Sequence, residues 1–222
     1  RRFGYLTFAV DTARDEGRTE DAVRTLLDRT VDGLLFVMSG LNALKVPDGF
    51  RRVPSALANC YPDPGIPDEQ PPPAFIPDEV RGGLDATRHL IRLGHTRIAF
   101  LGGSRTTPAA SWRALGFRQA MAEAGYVHLY AGRLLDAAAA FEGVMTLAPA
   151  SVCGYLGLAE VRLGEGRYSE AERLARKAAS LPAAEREEVA YGHRLIAKAL
   201  RGAHRNSDAE AALRRAAAID PS

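Results

Sequence analysis

The sequence predicts two fold classes in succession, an α/β half followed by an all-α half, and three observations carry that reading. As far as about Tyr126, short apolar runs alternate with stretches of helical spacing. After Tyr126 the strand-like runs stop. From Gly132 onward one pattern of small and apolar residues, closed each time by proline, recurs at nearly constant spacing.

Tyr5–Val10 (YLTFAV) is apolar and rich in β-branched and aromatic residues, so it reads as a strand. TEDAVRTLLDRT, residues 19–30, has helical spacing, and Gly33–Met38 (GLLFVM) is a continuous apolar run, which together make a β-α-β unit. Ser55–Cys60 (SALANC) is another strand. In the following YPDPGIPDEQPPPAF, residues 61–75, the prolines forbid a helix or a central strand and predict a loop. VRGGLDATRHLIRLG is a helix ended by Gly94, Arg97–Leu101 a buried strand, and PAASWRALGFRQAMAEAG a helix with Pro108 in its first turn. Such alternation implies a parallel sheet covered on both faces.

The second half repeats itself. GRLLDAAAAFEGVMTLAP (residues 132–149), GRYSEAERLARKAASLP (166–182) and HRNSDAEAALRRAAAIDP (204–221) share small residues where two helices must approach closely. Aligning Ala137 with Ala171 gives 171 − 137 = 34 residues; Ala209 lies 209 − 171 = 38 further, as a four-residue insertion near Ala183–Glu188 would produce. Three such units are about the minimum for a stable stack, because each helix pair buries its apolar face only against a neighbour.

Composition excludes several classes. The 222 residues are 46% apolar and 25% charged, an ordinary globular balance, and no run nears the roughly 20 apolar residues a membrane span requires. RRFGYLTFAV lacks the length and cleavage site of a signal peptide. Cys60 and Cys153 stand far apart with no ligand spacing around them, so neither zinc nor a disulfide scaffold is indicated, no cofactor is expected, and a reducing cytoplasm fits. The formal charge of +2 is spread along the chain and does not call for nucleic acid. Catalytic motifs are also wanting. The glycines of LGGSR fit neither phosphate-loop pattern, and Ser111 lacks a G-x-S-x-G context. His89 and His95 suit packing and turn roles, and an enzyme is the least supported class.

HLIRLGHTRIAFLGG (residues 89–103), preceded by FIPDEVRGG and followed by ASWRALGF, resembles the effector-binding domain of LacI/GalR-family transcriptional regulators. TEDAVRTLLDRTVDGLLF and VPSALANC fit the same family in the same order. The resemblance covers about residues 3–126. It implies part of a Rossmann-like, periplasmic-binding-protein-type fold whose two lobes clasp a sugar-like effector, and it leaves homodimerisation open. It also implies three effector contacts: Arg113 gripping hydroxyls with its planar fork of donors, Asn59 at a strand end, and Asp78 near the lobe crossover. The plainer readings are a solvated helix residue, a turn former and a helix N-cap, respectively. The helix-turn-helix, the first sensor strand and helix, and most of the second lobe are unmatched, so direct DNA binding by this chain is not expected.

Gly166–Ala171 (GRYSEA) resembles tetratricopeptide repeats (TPR), and LYAGRLLDAAAAF is similar to TPR chaperones of type III secretion. The resemblance implies a helical solenoid with a peptide-holding concave face. Tyr191, Arg194, Lys198 and Arg201 share one helical face that would suit an acidic peptide, unless they are a solvated basic face paired with Glu187 and Glu188. Met121–Gly132 serves equally as the end of the sensor helix and as the first repeat helix, as in a chimera. The expected organisation is a partial LacI/GalR-like domain over residues 1–126 and about three TPR units over 127–222, their first helix shared from about residue 118. The expected function is a non-enzymatic adaptor that binds a protein partner through the TPR groove; a sugar sensor of transcriptional regulation and a secretion chaperone are the alternatives.

Overall fold

An aspartate sets the first regular element. The Asp15 carboxylate accepts the Arg18 amide hydrogen at 2.8 Å, and helix α1 (Glu16–Asp28) follows. The computed structural model, which describes residues 6–13, 15–103 and 107–220, continues with strand β1 (Leu34–Leu44), a 3-10 turn (Phe50–Arg52), β2 (Ser55–Pro62) and β3 (Ala74–Phe75). Helices α2 (Glu79–Arg92), α3 (Pro108–Tyr130), α4 (Leu134–Leu147), α5 (Val152–Gly164), α6 (Tyr168–Ala179), α7 (Arg186–Gly202) and α8 (Asn206–Ile219) complete it. The chain divides into two compact units, Arg1–Asp78 with Thr106–Ala109, and Glu79–Arg105 with Ala110–Ser222.

In the first unit the strands are parallel in the order β1-β2-β3. Val23 of α1 packs with Leu34, Phe50, Leu57 and Cys60 in one core. Where a sheet covered on both faces is expected, one face of β1 is covered and the other presents Leu35 and Val37, 65% and 63% exposed. A single long helix can shield only one side. β1 also runs six residues beyond Met38, because Asn42–Leu44 resume pairing with Cys60–Pro62 after an irregularity.

Three local expectations are corrected. Leu6–Val10 is not a strand, and Leu6, Phe8 and Val10 are exposed; Tyr5 lies outside the described residues. Arg97–Leu101 keeps the alternation of a strand, with Ile98 and Phe100 against Phe117 and Met121 and Leu101 turned out to solvent, but it lies outside any sheet. Apolar alternation makes a strand only where a neighbour supplies the ladder, and these segments have none among the described residues. The predicted loop 61–75, conversely, begins with the end of β2 and closes with two residues of β3, whose lead-in Pro73 carbonyl accepts the Leu57 amide at 2.8 Å. Proline lacks a donor but keeps its acceptor, so this short edge strand tolerates it.

In the second unit α3 to α8 form three antiparallel helix pairs. The alanines aligned by sequence period, Ala137, Ala171 and Ala209, are all essentially buried, at 0%, 1% and 0% exposed. Each pair turns through the same backbone motif. The amides of Gly132, Gly166 and His204 donate to the carbonyls of Leu129, Leu163 and Arg201, each at 3.0 Å. Those of Arg133, Arg167 and Arg205 reach back to His128, Arg162 and Leu200 at 2.8–2.9 Å, the Schellman pattern. The turn residue is left-handed every time, at φ +73°, +74° and +61°. The four extra residues of the last period form an added first turn of α7. With the added turn set aside, Val152 and Gly154 of α5 correspond to Ala190 and Gly192 of α7, all four buried. One turn is close to four residues, so the insertion leaves the packing face in phase.

α3 is continuous from Pro108 to Tyr130, and it serves both the α2 contact and the first repeat. Among the described residues no helix is long and apolar enough to cross a membrane. The third turn differs from the other two in one respect that can be tested. A left-handed L-residue is strained where glycine is not, so His204→Gly should stabilise the chain by about 1 kcal/mol in urea denaturation. Gly132→Ala, the reverse change at the first turn, should cost a similar amount.

Candidate functional site

Asn59 sits where the sheet breaks register. Val37 pairs with Ala58 and Asn42 with Cys60, so Met38–Leu41 of β1 oppose the single residue Asn59 of β2. Its backbone is left-handed, φ +57°, and its side-chain amide donates to the Met38 carbonyl at 2.9 Å. Asparagine is among the few side chains that tolerate this conformation. The side chain named as an effector contact thus closes a bulge, a feature the sequence shows only as Gly40 inside a strand. Beside it the Cys60 thiol is fully buried, and that burial pushes its pKa up.

Asp78 directly precedes α2, and Arg113 lies on α3 in the other unit from Asn59. Arg113 is engaged. Its Nε and Nη2 both donate to the carboxylate of Glu79, the second at 2.8 Å, a forked pair between the starts of α2 and α3. These hydrogen bonds hold the Glu79 carboxyl below its usual pKa and raise that of Arg113. Glycines bring the helices together: a β-carbon on Gly116 would run into the Val80 carbonyl, and one on Gly83 into that of Arg113. Arg113 also lines a groove of about 380 Å³ floored by Thr87, Phe100 and Phe117, so its free edge faces an apolar surface.

A second cavity, of about 460 Å³, opens in the first unit beside the carboxyl-terminal half of β1 and the first turns of α1. Asp11, Glu16, Thr19, Ser39 and Lys45 bring hydroxyl, carboxylate and ammonium groups to it, with Lys45 and Glu16 3.7 Å apart. Strand ends of parallel sheets beside helix starts are where α/β folds hold ligands. Sequence reasoning missed this set because its members come from three separated segments.

The four groove residues of α7 divide. Tyr191 turns toward α5 and hydrogen-bonds Glu160, and burial first, then that carboxylate, drives its phenol pKa well up. Tyr126 of α3 is similarly affected, and it stacks on Tyr130 at 6.2 Å. Arg194 lies over the Tyr191 ring and pairs with Asp220 at 3.4 Å, whereas Lys198 and Arg201 are exposed. The resulting face mixes aromatic, acidic and basic groups. Among the described residues no cluster of histidine, cysteine and carboxylates is arranged to hold a metal ion.

The Glu79–Arg113 pair has a definite pH signature. A carboxyl held below its unfolded pKa adds stability above about pH 4.3, and that stability is lost as pH falls through the depressed value. Arg113→Gln should therefore destabilise the chain more at pH 7 than at pH 3 in urea denaturation. An equal loss at both would mean that the pair acts through packing alone.

Comparison with known proteins agrees with this architecture. The tetratricopeptide repeat family matches residues 128–199. The HTH-type transcriptional repressor PurR of Vibrio cholerae is 32% identical over 125 residues, covering 55% of this chain and 36% of the repressor. The HTH-type transcriptional regulator DegA of Bacillus subtilis is 30% identical over 125 residues, with the same coverage. The sucrose operon repressor of Escherichia coli is 27% identical over 123 residues, 55% of this chain and 35% of the repressor. The chain thus spans about a third of the length of these curated relatives. A solved LacI-family regulator from Rhizobium etli aligns at TM-score 0.49 with 24% identity over 55% of this chain and 42% of that one. The family of periplasmic binding proteins and sugar-binding domains of LacI type matches residues 1–148, well over half of the chain, and the chain belongs to it.

Proposed function

We propose that the chain is a non-enzymatic adaptor of regulatory ancestry, in which the repeat array holds a protein partner and the LacI-type part supplies a sensor-derived unit. The observation that carries this is the unbroken run of three helix pairs with equivalent turns and a shared core, exposing Lys198 and Arg201 on the same helix, α7, as the half-buried Tyr191. Neither cation has an ion-pair partner among the described residues, so both are available to an acidic segment, while Tyr191 offers a ring at low entropic cost. Titration of a fluorescent acidic peptide library against the purified chain tests the reading. Lys198→Glu combined with Arg201→Glu should weaken capture roughly tenfold, equivalent to about 1.4 kcal/mol. Undiminished capture would remove this face from the proposal.

A second reading is favoured by the 460 Å³ cavity in the first unit. Its carboxylates and hydroxyls suit a hydroxylated, sugar-like ligand, and its family and position in the sheet point the same way. Calorimetric titration with a panel of mono- and disaccharides should show saturable binding that Asp11→Ala abolishes. Silence across the panel, with the chain folded, would count against sensing.

A further inference from the structure

A third cavity lies wholly within the second unit and belongs to neither site above. It measures about 510 Å³, opens to solvent, and is bounded by α2, the turn at Gly94–Thr96, the carboxyl-terminal half of α3 and the first turn of α4. Its walls draw on both family matches. Arg88–Thr96 fall only within the LacI-type match, whereas His128, Arg133 and Asp136 fall where that match overlaps the repeats.

Its walls are chemically divided. Ile91, Ala120, Ala124 and Val127 supply an apolar floor. Arg88, Arg92, His95, His128 and Arg133 supply the nitrogen donors. Of the three arginines only Arg88 is paired, in a forked bond to Glu123 at 2.8–3.0 Å. Arg92 and Arg133 have no ion-pair partner among the described residues, whereas eleven other arginines have one. Asp136 is the single carboxylate on the wall not already engaged by an arginine, so the site keeps an excess of positive charge. The imidazole of His128 adds a buried Nδ1 without a hydrogen-bond partner.

We infer that this cavity binds a small organic carboxylate with a compact apolar body. The two unpaired guanidinium forks on the wall suit a carboxylate, which accepts two parallel N–H bonds where a neutral oxygen accepts fewer. The apolar floor requires that the rest of the ligand be hydrocarbon or aromatic, and the volume fits the range of small-molecule pockets. An inorganic anion would leave that floor wet. A neutral analogue would forgo the charge-assisted bonds to both arginines.

The test uses the full chain and benzoate as probe, with benzamide and inorganic phosphate as controls, followed by calorimetry and by amide shifts at Ala124 and Val127. Saturable benzoate binding that moves those amides, at least tenfold tighter than benzamide, is expected. Arg92→Gln with Arg133→Gln should weaken it about tenfold while leaving the circular dichroism unchanged, because both side chains are exposed. Equal binding of benzamide, tighter binding of phosphate, or benzoate affinity unaffected by the double substitution would each overturn the assignment, as would no binding to the folded chain.

Discussion

One helix must be thin on two sides at once. α3 meets α2 through Gly116, against the Val80 carbonyl, and about two and a half turns later meets α4 through Gly125, where a β-carbon would stand 2.7 Å from the Phe141 ring. Gly157 of α5 also closes on that ring, and Phe141 is fully buried. Interiors close-packed at crystal-like density leave no room for even one methyl group at such contacts. Glycine in mid-helix costs about 1 kcal/mol of propensity relative to alanine, and three such positions are tolerated only because the packing returns more. With larger residues there, neither the sensor-type helix nor the first repeat could dock on the same rod.

That shared rod also explains what happens to the extended segment before it. Ile98 and Phe100 place their side chains on Phe117 of α3 and, through the same cluster, on Val144 of α4. The helices therefore satisfy its apolar half. They cannot satisfy its backbone, since a helix surface offers no ladder of donors and acceptors, and the segment stays solvated on its outer side where Leu101 is 97% exposed. Hydrophobic contact is non-directional and accepts a helix in place of a sheet; hydrogen-bond pairing does not.

The same distinction separates what was legible in the sequence from what was not. The repeats were readable because each turn needs a left-handed residue and each crossing a small one, and both requirements mark single positions such as Gly166 and Ala171. Helix α2 was readable to within two residues at each end for the same local reason, with Gly94 at φ +88° as its stop. Strand status was not, because it is decided by a partner elsewhere in the chain. Nor was the candidate chemistry. Arg113 meets a glutamate 34 residues away, and Asn59 meets a carbonyl 21 residues away, so each acquires its role only when two elements settle into register. The bulge that employs Asn59 leaves no trace in hydrophobic period beyond one glycine.

Charge placement follows from the helix packing. Arg162, only 12% exposed at its side chain, reaches Glu142 of α4 and Glu165 beyond its own helix, and Glu172 of α6 joins Arg176 to Arg205. Because Arg162 and Glu172 each join a local pair to a partner on another element, the second bond of each adds little entropy cost once the helices are docked, unlike an isolated surface pair. Docking thus neutralises Arg162 and Arg205 with carboxylates of other helices. Arg92 and Arg133 line the cavity between α2, α3 and α4 with no ion-pair partner among the described residues, and Lys198 and Arg201 are exposed on α7. Where positive charge remains available to a ligand therefore depends on whether a carboxylate comes within reach, and not on the number of cations.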